Sequence, residues 1–154
     1  MNILSRLMFA GVMAITIQAT PALAAPHASS TQAQSLLEKA VAEVKRVGPQ
    51  QAFAEFNMPG GTFNSGELYV FVFNLDGVYK AYGAHPALVG KDVRDLTDVE
   101  GKPIVQDMIE IAKTSGHGKV NYIWLNRGDN RVEHKMSLIE LVGDNVVGVG
   151  YYPN

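Results

Sequence analysis

Lys135 carries the most chemical content in this sequence. It lies mid-segment in H-K-M-S, His134 to Ser137. Facing solvent, it is an ordinary surface charge. Facing inward, its ammonium needs an anion, because an unpaired buried charge is very costly. A small carboxylate ligand would supply that anion. Aromatic residues gather on the segments predicted as strands: Tyr69, Phe71, Phe73, Tyr79, Tyr82, Tyr122 and Trp124. The phenylalanines can simply be core. A buried tyrosine hydroxyl, by contrast, must find a partner. Several tyrosines, a histidine and a lysine near one sheet face would line a small polar pocket. His134 is the histidine whose strand parity, shared with Val132, Met136 and Leu138, predicts partial burial.

Other chemistries find little support. The chain has no cysteine, which excludes a thiol nucleophile, a thiolate zinc site and a c-type haem. None of the four histidines, His27, His85, His117 and His134, pairs with another at metal-binding spacing. There is no G-x-S-x-G elbow and no glycine-rich phosphate loop. Asp92, Asp95, Asp98 and Glu100 offer calcium oxygen ligands, but not at EF-hand spacing, and loop aspartates commonly cap turns. No cofactor and no catalysis are expected. The formal net charge of -2, from 13 Lys plus Arg against 15 Asp plus Glu, argues against a nucleic-acid partner.

The elements that must position these residues are legible. At 154 residues, 47% hydrophobic and 18% charged, the chain has the size of one packed domain. Apolar residues at helical spacing predict an amphipathic helix over 32–47, capped by Ser30 or Thr31 and stopped by Gly48-Pro49. A short helix follows to about Phe56. Residues 62–67 read as irregular. Leu68 to Asn74 is a strand apolar on both faces, so both must be covered. Asp76-Gly77 turns it into a second strand over 78–84. After a loop, a helix opens at Lys102-Pro103 and stops at Gly116. Strands over 119–125, 131–142 and 146–152 are joined by short turns and form an antiparallel meander. The order predicts an α+β fold with a five-stranded antiparallel sheet and helices packed on it.

Residues 1–24 read as a secretory signal peptide: Arg6, an apolar run from Leu7 to Ile17, then Ala22-x-Ala24 for cleavage after Ala24. The run is too short to span a bilayer. Ala25 to Thr31 would be a mobile tail, and 32–154 the single domain. Export to a bacterial periplasm is the expected location.

Motifs beyond these narrow the reading. Y-V-F-V at Tyr69 to Val72 precedes the Asp76-Gly77 turn. H-P-x-L-V-G-K-D runs from His85 to Asp92, and D-x-x-G-K-P from Asp98 to Pro103. G-x-G-x-V-x-Y-x-W spans Gly116 to Trp124, a strand lysine stands at Lys135, and G-V-G-Y-Y closes the chain from Gly148 to Tyr152. In order and spacing the segment Leu68 to Tyr152 resembles the single Cache domain, the extracytoplasmic sensor module of bacterial chemoreceptors and sensor kinases. The resemblance implies a PAS-like antiparallel sheet, a long N-terminal helix and a pocket for short carboxylates. It places Tyr69, His85, Tyr122, Trp124 and Lys135 on the pocket side. It implies a small anionic metabolite as ligand, a membrane sensor kinase or chemoreceptor as partner, and a homodimer contact through the N-terminal helix. The K-M-S-L sequence departs from the K-x-S-Y common in relatives, Leu138 replacing the aromatic, which leaves ligand identity open. The alternative is a non-catalytic accessory subunit of a membrane complex, with a vestigial pocket.

Overall fold

The computed structural model describes residues 27–128 and 130–153; the signal peptide expected over 1–24 lies outside them. Helix α1 spans Ser30–Val47. Its N-cap is Ser29, one residue earlier than expected. The Ser29 hydroxyl accepts from the Gln32 N–H at 3.2 Å, and the Gln32 side chain accepts from the Ser29 N–H at 2.8 Å. This reciprocal box wins because it satisfies two otherwise orphaned donors. Helix α2, Pro49–Phe56, starts with Pro49 in its first turn, where the missing N–H costs nothing. Helix α3, Ile104–Ser115, ends on left-handed Gly116.

The strands are β1 (Asn64–Ser65), β2 (Leu68–Asn74), β3 (Tyr79–Tyr82), β4 (His117–Asn126), β5 (Arg131–Val142) and β6 (Asn145–Tyr151). All pairings between them are antiparallel. The main path runs β1-β2-β6-β5-β4, and β3 pairs with β2. Thus β1 and β3 share one edge of β2, and the last strand sits at the sheet centre. Among the described residues the sheet has six strands rather than five. The correction is β1, in the stretch read as irregular, where Asn64 pairs with Tyr69 and Ser65 with Leu68. Two residues are too few for a period-two signal.

Strand alternation divides the interior into two apolar layers. Val70, Val72, Leu138, Val147 and Val149 pack against Leu37, Val41 and Val44 of α1 and Phe56 of α2. Phe71, Phe73, Val120, Tyr122, Ile139 and Val146 pack against Ile104, Val105, Met108 and Ile109 of α3. This double cover explains why β2 is apolar on both faces.

Strict alternation fails at one place that matters. The β2–β3 register slips between Val72 and Phe73, so that Phe71 faces Tyr82 while Phe73 faces Tyr79. This bulge brings Tyr79 and Tyr82, three residues apart, to the same α3-facing layer. Their rings stack at 4.8 Å with 5° between planes. Parity also misleads at His134, which is exposed rather than partly buried. The helices cover this face of β5 at Leu138, 4% exposed, and leave Val132, 59% exposed, in solvent. Parity names the side of a sheet, not whether anything lies on it.

Candidate functional site

Lys135 points inward from β5 and is 1% exposed. It lies opposite Tyr122 of β4 in the strand register. Its stem runs over Gly150 of β6, where a Cβ would come within 2.3 Å of Lys135 Cε and 2.9 Å of Ser137 Oγ. Glycine at 150 is therefore the space the lysine occupies. The ammonium ends between two tyrosines. Nζ donates to the Tyr69 hydroxyl at 2.8 Å and to the Tyr152 hydroxyl at 3.4 Å. It also lies 4.4 Å and 4.7 Å from the centres of these two rings, within cation–π range. Among the described residues, no carboxylate forms an ion pair with Lys135. Burial pulls its pKa down to about 7, opposed only by the more distant charge of Glu67. The sequence left open whether this lysine faces water or the interior; it faces the interior, and its partners are phenols, not an anion.

The hydroxyls around it are individually tied. Tyr122 shares a hydrogen bond with Ser137 at 2.9 Å, and Tyr152 donates to the Leu125 carbonyl at 3.0 Å. Burial raises the pKa of Tyr69, Tyr122 and Tyr152, so all three stay neutral donors. Tyr69 meets Tyr82 edge to face at 5.5 Å, and Tyr122 meets Trp124 the same way at 5.9 Å.

Beside this group lies a cavity of about 30 Å³, walled by Tyr69, Phe71, Tyr82, Met108, Tyr122 and Trp124 among others. At roughly 10–15 Å³ per water it has room for two or three waters. On the other side of Tyr69 an open groove of about 400 Å³ is lined by Glu67, Leu125, Arg127 and Tyr152. Tyr69 is a wall common to both spaces.

The structure thus gathers Tyr69, Tyr122, Trp124 and Lys135, and leaves His85 apart. His85 is exposed, and its carbonyl accepts the Leu88 N–H to open the short 3-10 turn Pro86–Leu88. Ser137, Tyr152 and Gly150 belong to the group and were missed; Tyr82, named among the strand aromatics but not singled out, belongs to it too. Ser137 shares the parity of Lys135, and Tyr152, one residue past β6, shares that of Gly150, so these three had a signal. The direction of Tyr82 could not be read, because it depends on the bulge. His27, placed by the sequence in a tail, contacts Glu67 at 3.0 Å and Glu133 at 3.7 Å.

The acidic loop has a structural use. Asp98 Oδ1 accepts from the Glu100 and Lys102 N–H groups and Oδ2 from Ile123 N–H. Its backbone bonds hold the carboxyl below the ordinary value of 3.8. Among the described residues no three carboxylate or histidine side chains converge on a metal position. Asp98→Asn is expected to lower the melting temperature by several degrees near neutrality. That deficit should shrink as pH falls through the lowered carboxyl pKa, where the wild type loses the same charge. A deficit unchanged down to acid pH would show that the charge contributes nothing.

The sequence profile of single Cache domain 2 matches residues 49–153. The chain belongs to the single Cache domain family. Solved structures agree on the fold. A methyl-accepting chemotaxis protein from Vibrio parahaemolyticus has 20% identity and a TM-score of 0.67, covering 79% of this chain and 86% of that one. A Cache chemosensory domain described for carboxylic acid recognition has 23% identity and a TM-score of 0.67, covering 81% and 93%. The periplasmic sensor domain of a chemotaxis protein has 24% identity and a TM-score of 0.61, covering 79% and 88%. At these identities the likeness establishes the Cache fold and leaves the site to be argued from its own residues. No helix among the described residues is long and apolar enough to cross a membrane.

Proposed function

We propose that this Cache domain is a sensor that binds a short-chain carboxylate beside Lys135 and shows the loaded form to a membrane sensor kinase or chemoreceptor. The observation that carries the reading is the buried Lys135 amine beside an aromatic cavity, with hydroxyls but no anion for partners. A carboxylate would bring the missing charge, with Tyr69 and Tyr152 as further donors. The cavity volume of about 30 Å³ favours the smallest acids, with acetate first. Residues 1–24 would direct export, and the mature domain would begin at Ala25 in the periplasm.

The test is a thermal-shift screen, followed by calorimetry, with acetate, propionate, lactate and pyruvate. A shift that Lys135→Met abolishes is the expected result. Binding should also depend on pH with a defined sign. The free lysine titrates near 7, and a bound carboxylate raises that value. Affinity should therefore be level below about pH 7 and fall about tenfold per unit above it, with proton uptake on binding. Affinity unchanged up to about pH 9 would place the acid elsewhere. The small cavity gives some support to a second reading, an accessory subunit with a vestigial pocket. No shift with any acid, together with a stoichiometric partner from solubilised envelope, would select it.

A further inference from the structure

An amine can meet this site's hydrogen bonds without its charge. The Tyr152 hydroxyl donates to the Leu125 carbonyl, so its oxygen faces Lys135 Nζ as an acceptor. The Tyr69 hydroxyl, 2.8 Å from Nζ, can turn its proton toward the nitrogen lone pair. An uncharged Lys135 would thus donate to Tyr152 and accept from Tyr69. A neutral primary amine, walled from water and flanked by a proton donor, is a carbonyl nucleophile. Tyr69 also borders both the cavity and the open groove, and its hydroxyl holds the amine at that shared wall.

We propose that Lys135 Nζ condenses reversibly with the carbonyl carbon of a short aldehyde or 2-oxo acid taken into this cavity. This rests on the ligand site proposed above and assigns it a covalent mode. The nitrogen lone pair forms the N–C bond, and the carbonyl π pair moves to oxygen, which takes a proton from Tyr69. An N–H proton returns to the Tyr69 oxygen. The carbinolamine hydroxyl then takes a proton from Tyr69 and leaves as water while the nitrogen lone pair forms the C=N bond, and the remaining N–H proton returns to the Tyr69 oxygen, giving an imine with no change of oxidation state. The bulk of Phe71, Tyr122 and Trp124 limits the carbonyl compound to a few carbons.

Reductive trapping tests the inference. The mature protein is incubated near neutrality with pyruvate or propanal and sodium cyanoborohydride, then mapped by peptide mass. Lys135 should become a secondary amine at one equivalent, about tenfold faster than any surface lysine. Lactate, which keeps the carboxylate of pyruvate but lacks its carbonyl, should give no adduct. Lys135→Arg, which keeps the cation and is checked for folding by its melting curve, should lose the adduct. Tyr69→Phe should keep the lysine and slow its labelling. Labelling spread evenly over surface lysines would overturn the proposal. Acetate binding without any adduct removes the imine and leaves the carboxylate reading intact. An adduct without acetate binding does the reverse.

Discussion

Replacing Lys135 with Met is expected to stabilise the domain by about 2 kcal/mol near pH 6, while abolishing every ligand-induced thermal shift. The buried ammonium drives the first effect. Its pKa falls from 10.5 in the unfolded reference to about 7 in the fold, and each unit is worth about 1.4 kcal/mol. Below about pH 7 both states hold the proton, and the fold bears the whole desolvation cost. Between about 7 and 10.5 the unfolded chain binds more protons, so wild-type stability rises with pH. The advantage of Met must shrink over the same interval. Loss of a partner for the Tyr69 hydroxyl offsets part of the gain. Urea or thermal unfolding at several pH values measures this directly. An advantage independent of pH would mean that packing, not charge, sets the effect. A gain in stability with loss of binding is the pattern of a site kept at the expense of its scaffold.

Gly148→Ala is expected to cost about 2–3 kcal/mol and to close the cavity. A Cβ at this position would sit 2.2 Å from Phe71 Cζ. The Phe71 ring cannot withdraw toward Phe73, which stacks beside it at 5.9 Å and 11°. The cavity that it lines is space into which it can move. Chemical denaturation would report the stability loss, and a ligand titration at least a tenfold loss of affinity. Phe71→Leu in the Gly148→Ala background should recover much of the stability, because the two sites compete for one volume. Additive costs in the double variant would refute the steric coupling.

The helices and most strands were legible because their signals are local. Helical spacing marked α1 and α3. The Asp76-Gly77 turn marked the β2–β3 hairpin, and short turns marked the β4–β5–β6 meander. The double apolar face of β2 announced cover on both sides, and two helix layers provide it. Lys135, Tyr69, Tyr122 and Trp124 could be named in advance because the family resemblance placed them on the pocket side and a buried amine or phenol needs a partner; strand parity alone left the direction of Lys135 open. The resemblance placed His85 there as well, and the structure leaves it apart. Its motif said nothing about which way the short turn at Pro86 would carry its side chain. His134 was misread because parity cannot report where a helix layer ends.

The chain's order of residues by itself settled the kinds of elements and the one charge that would be costly to bury. Its motifs settled the family, because they mark turns and strand ends at set spacings. Which groups meet that charge was decided only in three dimensions. Strand β6 enters between β2 and β5 and so brings Gly150 beneath the lysine and Tyr152 beside it. A bulge in the β2–β3 pairing turns Tyr82 to the same side as Tyr79. Neither fact has a local cause. Each depends on the register between strands distant in sequence, and that register is set by packing the whole sheet at once.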